Sequence, residues 1–242
     1  MGCDIHGYCE IYENGKWEMA GGFNNKYSSD EPYEGRNYNL FSLLANVRNS
    51  GNITPISLPR GVPKDASESY QRIVEECGSD GHSHSFLMLD ELLLVDHDKL
   101  IEKKGIIGEK TYREAKKGVV PTSYCGGSSG PNLYVLTNDE MDLVLENRQS
   151  FIEQNLLRLL YDKKRMWDFD CPAAKGVMEK IEKFNRGEME YGDIEFNTKY
   201  VWKTRLGECL GTDFFGETVP AMLAKSPSGD SIDVRYIFFF DN

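Results

Sequence analysis

The chain has 242 residues, 28 Lys and Arg against 39 Asp and Glu for a net charge of −11, and 40% hydrophobic residues. That is apolar material for one substantial core or at most two small ones, so a disordered, collagen-like or disulfide-scaffold chain is excluded. The acidic balance argues against a broad grip on a nucleic-acid polymer or an anionic membrane surface, and leaves room for a small anion held in a local basic pocket.

The alternation from Cys3 to Met19 predicts a β-hairpin. Cys3, Ile5, Cys9 and Ile11 point one way, Asp4, His6, Tyr8 and Glu10 the other, and Asn14-Gly15 supplies the turn. A polar loop from Gly21 to Gly35 follows. Tyr38, Phe41, Leu44, Ala45 and Arg48 then recur at helical spacing up to Asn49-Ser50-Gly51. Pro55, Pro59 and Pro63 make residues 52–65 extended and irregular. Asp65 with Glu68 predicts a capping box for a helix through Cys77, closed by Gly78. The apolar residues between Phe86 and Leu100 predict a helix starting around Asp90, and a short charged helix is expected at Glu109 to Lys117. Residues 125–132 form a Gly-rich loop before a short strand, Leu133 to Thr137. Asn138 caps a long helix to about Trp167, a second helix runs from Ala173 to Asn185, and Ile232 to Phe240, apolar on both faces, reads as a central strand. The fold class expected is α+β: a single domain with a mixed or antiparallel sheet that includes the N-terminal hairpin and the C-terminal strand, packed with several helices. Residues 100–230 are read as its helical insertion or lid.

The start of the chain lacks the basic and apolar regions of an export signal, and no apolar run approaches the ~20 residues of a spanning helix. His6 stands where the myristoylation pattern requires Ser or Thr. A soluble, cytoplasmic protein without a membrane partner is therefore expected, with its six scattered cysteines as reduced thiols and Cys3 and Cys9 in the core.

Two constellations could carry chemistry. Asp4 with His6, and Asp80 with His82 and His84, are spaced by two, so in extended chain each set shares a face. Imidazole with carboxylate suits a divalent metal such as Zn or Mn, and a metal-bound water is acidic enough to attack a phosphoester. His6, His82, His84 and Asp80 are the candidate metal ligands, and Asp4, His6, His82 and His84 the candidate catalytic groups. The second constellation is cationic: Arg36-Asn37-Tyr38, Arg48 and Arg60, with Arg235 near the C-terminus. Guanidinium groups match phosphate oxygens, and Tyr33 and Tyr38 offer rings on which a base could stack. Pairing of the two chain ends in one sheet would also bring Asp4, His6, Arg235 and Asp241 together. Cys125 is a possible nucleophile with no histidine near it in sequence, and no phosphate-binding loop, nucleophile elbow or dinucleotide fingerprint is present.

Several short blocks stand out: Met1-Gly2-Cys3-Asp4-Ile5-His6, Arg36-Asn37-Tyr38 with Leu44-Ala45 and Arg48-Asn49, Pro59-Arg60-Gly61, Asp80 with His82-Ser83, and a closing Val234-Arg235 with Phe240-Asp241-Asn242. In these islands, within residues 1–95 and 232–242, the chain resembles a family of phage and prophage proteins to which no activity is assigned. The resemblance implies a phage or mobile-element origin, and with it dealings with small phosphorylated signals inside an infected bacterium. The leading expectation is a hydrolase of a nucleotide or other small phosphoester, metal-dependent if the histidines converge, which would counteract a bacterial defence signal. The alternatives are a protein that sequesters a nucleotide signal without cleaving it, or an inhibitor of a host protein. The partner is a small anionic ligand in the first two cases, and a homo-oligomer is compatible with all three.

Overall fold

The structure is a computed structural model that describes residues 2–24, 28, 30–124, 133–165, 172–188 and 194–241. The Gly-rich segment 125–132, Cys125 within it, and the expected helix end at Trp167 lie outside the described residues. In chain order the elements are β1 (Asp4–Glu13), β2 (Lys16–Ala20), α1 (Tyr38–Ala45), α2 (Glu68–Cys77), β3 (His82–Met88), α3 (Leu89–Leu93), β4 (Leu100–Gly108) and α4 (Glu109–Ala115). There follow β5 (Leu133–Leu136), α5 (Asn138–Arg165), α6 (Pro172–Asn185), β6 (Glu195–Arg205), α7 (Leu206–Leu210), α8 (Val219–Leu223) and β7 (Val234–Asp241). The fold is α+β, and the chain divides into two compact units, Met1–Ile101 with Thr204–Asn242, and Glu102–Lys203.

The first unit is built on a four-stranded antiparallel sheet in the order β2-β1-β7-β3. The β1–β2 hairpin turns through Asn14 (φ 52°) and Gly15 (φ 83°), the left-handed pair that matches the twist of the flanking strands. Strand β7 is central because both its faces are apolar, and residues 234–240 are all buried. Its even-numbered side chains, Val234, Tyr236, Phe238 and Phe240, join Ile5, Cys9 and the apolar side of α1 in the main core. Ile237 and Phe239 face the other way, against Tyr8 and Tyr70 of α2. Cys3 and Cys9 are buried as expected.

Helix α1 begins where Asn37 Oδ1 accepts from the amides of Asn39 and Leu40, and ends at Asn46 in the left-handed conformation (φ 59°). Helix α2 spans the residues expected, but its N-cap is Ser67, whose side chain accepts from Tyr70 N, and not Asp65. Asp65 is taken instead by the buried Arg235, which needs a counter-charge more than the helix needs that cap. The helix expected from Asp90 is a single turn, α3, preceded by β3. Residues 82–88 are extended because β7 offers them an open edge with which to pair.

The second unit has a three-stranded sheet in the order β4-β6-β5, with β5 parallel to β6, and the helices α4, α5 and α6. Met141, Val144, Phe151, Ile152, Leu156 and Leu160 of α5 pack with Val177, Ile181, Tyr134 and Phe196 in a separate core. Helix α5 is broken at Asn147 (φ −153°, ψ 89°), whose side chain accepts from Ser150 N and so caps the second half.

Candidate active site

The antiparallel pairing of β1 with β7 sets the site. Register places Asp4 opposite Asp241, His6 opposite Phe239, Tyr8 opposite Ile237 and Glu10 opposite Arg235. The two chain ends therefore meet as the sequence suggested, and Asp4, His6 and Asp241 come together at one end of the strand pair. Arg235 belongs to the other end, six residues along β7 from Asp241.

His6 is the centre of this group. Its Nε2 lies 3.1 Å from Asp241 Oδ2 and its Nδ1 3.7 Å from Glu31 Oε1. The ring stacks on Phe239, with centroids 5.1 Å apart and an interplanar angle of 23°. Glu31 and Asp241 raise its pKa from the ordinary 6.5 to about 9, against the opposing effect of burial. With its pKa raised in this way, His6 is at neutral pH an imidazolium held between two carboxylates, a cation and a proton donor. The Tyr8 hydroxyl donates to Glu31 Oε1 at 3.2 Å and so fixes the carboxylate that faces His6. Asp4 is bound by Arg36 through both guanidinium nitrogens that reach it, Nε at 2.6 Å from Oδ1, which keeps its carboxyl below the usual range.

The other two histidines of the candidate set sit on β3, and here the expectation of a shared face is corrected. The register shifts between His82 and Ser85, and Ser83 adopts φ 52°. This bulge turns the chain by one side-chain position, since an extra residue in one strand breaks the period of two. His82 consequently stacks near Phe240 (6.1 Å), whereas His84 lies against Phe239 (5.2 Å), and neighbouring residues of β7 face opposite sides of the sheet. His82 Nδ1 is 3.0 Å from the Ser83 hydroxyl. Asp80 closes the turn after α2 through its amide, which donates to the Cys77 carbonyl at 3.2 Å. His82, His84 and Asp80 do not form one set of ligands, and among the described residues no three His, Cys, Asp or Glu side chains are grouped to hold a metal ion.

His84 and His6 thus flank Phe239 from the two strands on either side of β7. Burial, and then the neighbouring His82, lower the pKa of His84 from the ordinary 6.5. Its Nδ1 has no hydrogen-bond partner among the described residues. Packed close by are Gly81 and Cys77: a Cβ on Gly81 would come within 3.1 Å of Cys77 Sγ and 3.3 Å of His84 Nε2. The face therefore carries two imidazoles of opposite proton affinity across one phenyl ring.

The cationic candidates are distributed differently from a ready phosphate clamp. Arg36 is committed to Asp4, and Arg60 makes a bidentate pair with Glu91 (2.8 and 2.6 Å) while lying over the Phe86 ring. Arg235 is buried against Glu10 and Asp65 and has no route to a ligand. Asn37 spends its side chain on the α1 cap and on the carbonyls of Cys209 and Leu210. The Tyr38 hydroxyl accepts from Cys3 N at 3.3 Å, and Arg48 reaches the Gly2 carbonyl at 3.4 Å. Tyr33 is buried against Phe214 and does not offer a stacking face. Arg36 is placed beside the His6 group through its pairing with Asp4. Glu31 and Phe239 were missed by sequence reasoning. Phe239 was legible only as core, and Glu31, in a polar loop, carried no signal of its own.

The raised pKa of His6 makes a directional prediction. The folded state binds this proton more tightly than the unfolded chain, so the stabilisation is complete below pH 6.5 and is lost as pH rises through about 9. A His6→Gln protein should be less stable than the parent near pH 6 and approach it near pH 10, as read from thermal midpoints across that range. An equal gap at both ends would contradict the assignment.

No protein-family model, no curated protein and no solved structure matches the chain. Among the described residues no helix is long and apolar enough to cross a membrane.

Proposed function

We propose that the His6–Phe239–His84 face is the active site of a hydrolase acting on a nucleotide or other small phosphoester. The observation that supports this most is the opposed proton affinity of the two imidazoles. Environments that push two titratable groups apart are how one site supplies both an acid and a base at neutral pH. In this reading His6, charged at pH 7, donates a proton to the leaving oxygen, and neutral His84 takes one from the attacking water. Asp241 and Glu31 orient and hold charge on His6. Arg36, half-exposed at the edge, exchanges part of its contact with Asp4 for phosphate oxygens. These steps use the chain's own side chains; a divalent metal, if the reaction uses one, would have to approach His84 or the carboxylates.

The resemblance to phage proteins directs the choice of substrate toward nucleotide signals of an infected bacterium. The same cationic groups favour a second reading, retention of such a nucleotide without cleavage. One experiment separates the two. The purified protein is incubated with nucleotides, cyclic dinucleotides and ADP-ribose-type molecules, with chelator, with Zn or with Mn, and the filtrate is chromatographed before and after denaturing the protein. A new product is expected. A ligand that vanishes and returns intact would replace hydrolysis by sequestration, and an untouched panel would overturn both.

A further inference from the structure

The segment that brings Glu31 to the His6 group also forms one wall of a cleft of about 330 Å³ in the first unit. The other wall is the π-helical turn Asp213–Thr218 that leads into α8, where Val219 N donates to the Phe214 carbonyl five residues back. Single turns of this kind recur at functional sites. The Thr218 hydroxyl ties the two walls by donating to the Pro32 carbonyl at 2.9 Å. Glu34, Asp213 and Glu217 line the cleft with Asn24, Tyr33 and Thr218, and among the described residues no lysine, arginine or histidine does. Asp213 and Glu217 stand four apart on one turn, a spacing at which like charges repel. Asp213 Oδ1 accepts from its neighbour Thr212 at 3.3 Å, and Glu217 has no partner among the described residues. A buried side chain also points to a ligand. Tyr33 is 6% exposed, and a Cβ on Gly35 would come within 2.1 Å of its oxygen, so the phenol is seated on bare backbone. Its hydroxyl makes no hydrogen bond among the described residues, yet unlike the sealed hydroxyls of Tyr70, Tyr134 and Tyr236 it opens at the cleft wall. Burial and the charge of Asp213 push its pKa up to about 12, so this oxygen is a neutral acceptor beside an unneutralised carboxylate. No three of the described carboxylates are grouped to hold a metal ion, whereas an ammonium directs three donors at acceptors that stand apart.

We propose that this cleft binds a small organic ammonium ion, its donors shared among Asp213, Glu217 and the Tyr33 hydroxyl and its aliphatic body beside Pro32. This inference is independent of the hydrolase reading, because it uses none of His6, Phe239 and His84.

The test is titration of the full chain with butylamine and 1,4-diaminobutane, with 1-butanol and butyrate as neutral and anionic controls of similar size, and with Mg and Ca salts alone. Saturable binding of one or both amines and not of the controls is expected. Glu217→Gln and Asp213→Asn should each weaken it about fivefold, the loss of one exposed charged partner, and Tyr33→Phe about threefold, the loss of one hydrogen bond. Glu217→Gln should also melt no lower than the parent without ligand, because it relieves a like-charge repulsion. Glu13→Gln, which removes an exposed carboxylate at the other end of β1 from His6, controls for diffuse attraction by the net charge of −11 and should leave the binding unchanged, as should His84→Gln. Should Tyr33→Phe fail to fold, the two carboxylate variants carry the test. Failure of both amines to bind, a loss in Glu13→Gln equal to that in Glu217→Gln, or saturation by Mg or Ca with no amine bound would each overturn the proposal.

Discussion

For the proposed hydrolase, replacing His84 with glutamine should lower turnover about 10²–10⁴-fold, the range for losing a positioned general acid or base. Glutamine keeps a polar group of similar reach on β3 but cannot take a proton at neutral pH. His6→Gln should fall in the same range, since it removes both the proton donor and the charge that Asp241 and Glu31 sustain. The double variant should be little worse than either single one, because residues that act as a unit are not additive. His82→Gln is the control: its ring lies on the Phe240 side of the sheet, so turnover should hold. Loss of activity in the His82 variant with retention in the His84 variant would reverse the assignment of faces on which the site rests.

Arg235→Leu should cost about 3–5 kcal/mol of folding stability, the usual penalty for removing one partner from a buried ion pair. The guanidinium is 2% exposed, donates from Nε to Glu10 Oε2 at 2.7 Å and from its terminal nitrogens to the Asp65 carboxylate at 2.9 Å and the Asp65 carbonyl at 3.2 Å, and lies 4.1 Å over the Trp17 ring. Glu10 is fully buried, and its other oxygen accepts from Ser67 N at 2.8 Å, at the start of α2. Without Arg235 that carboxylate is a buried charge lacking its cation. Changing Glu10 as well, to leucine or glutamine, should recover part of the loss, because the stranded charge is then removed. Denaturant midpoints measure this. A cost below about 1 kcal/mol for Arg235→Leu would mean that the pair does not hold β1, β7 and α2 together.

What the sequence made legible is mostly local. Asn14-Gly15 has one good backbone solution, the alternation of Cys3 to Ile11 assigns the two faces of β1, and the unbroken apolar run before Asp241 is what a central strand needs. Long-range pairing escaped. His82-Ser83-His84-Ser85 has no apolar alternation, so the strand exists only because β7 has an edge for it, and the bulge at Ser83 that separates the two histidines is a property of that pairing. Strand β6 did carry a readable signal, since Phe196, Thr198, Trp202 and Thr204 are buried at a spacing of two from one another or its multiple, and it was passed over between helices. The candidate site divides along the same line. Asp4, His6 and Asp241 were foreseen as neighbours from the two chain ends, whereas Arg235 was taken for a ligand group because its charge was legible and its buried partners were not.

The central claim is that His6 and His84 face one phenyl ring with opposed proton affinities. The measurement closest to it is the pH titration of both imidazoles by NMR in the intact protein, with His6→Gln and His84→Gln used to assign the resonances. The account predicts that His6 titrates at about 9 and His84 below the ordinary 6.5. Two histidines that both titrate at 6.5 would contradict it, for the site would then hold no separate acid and base.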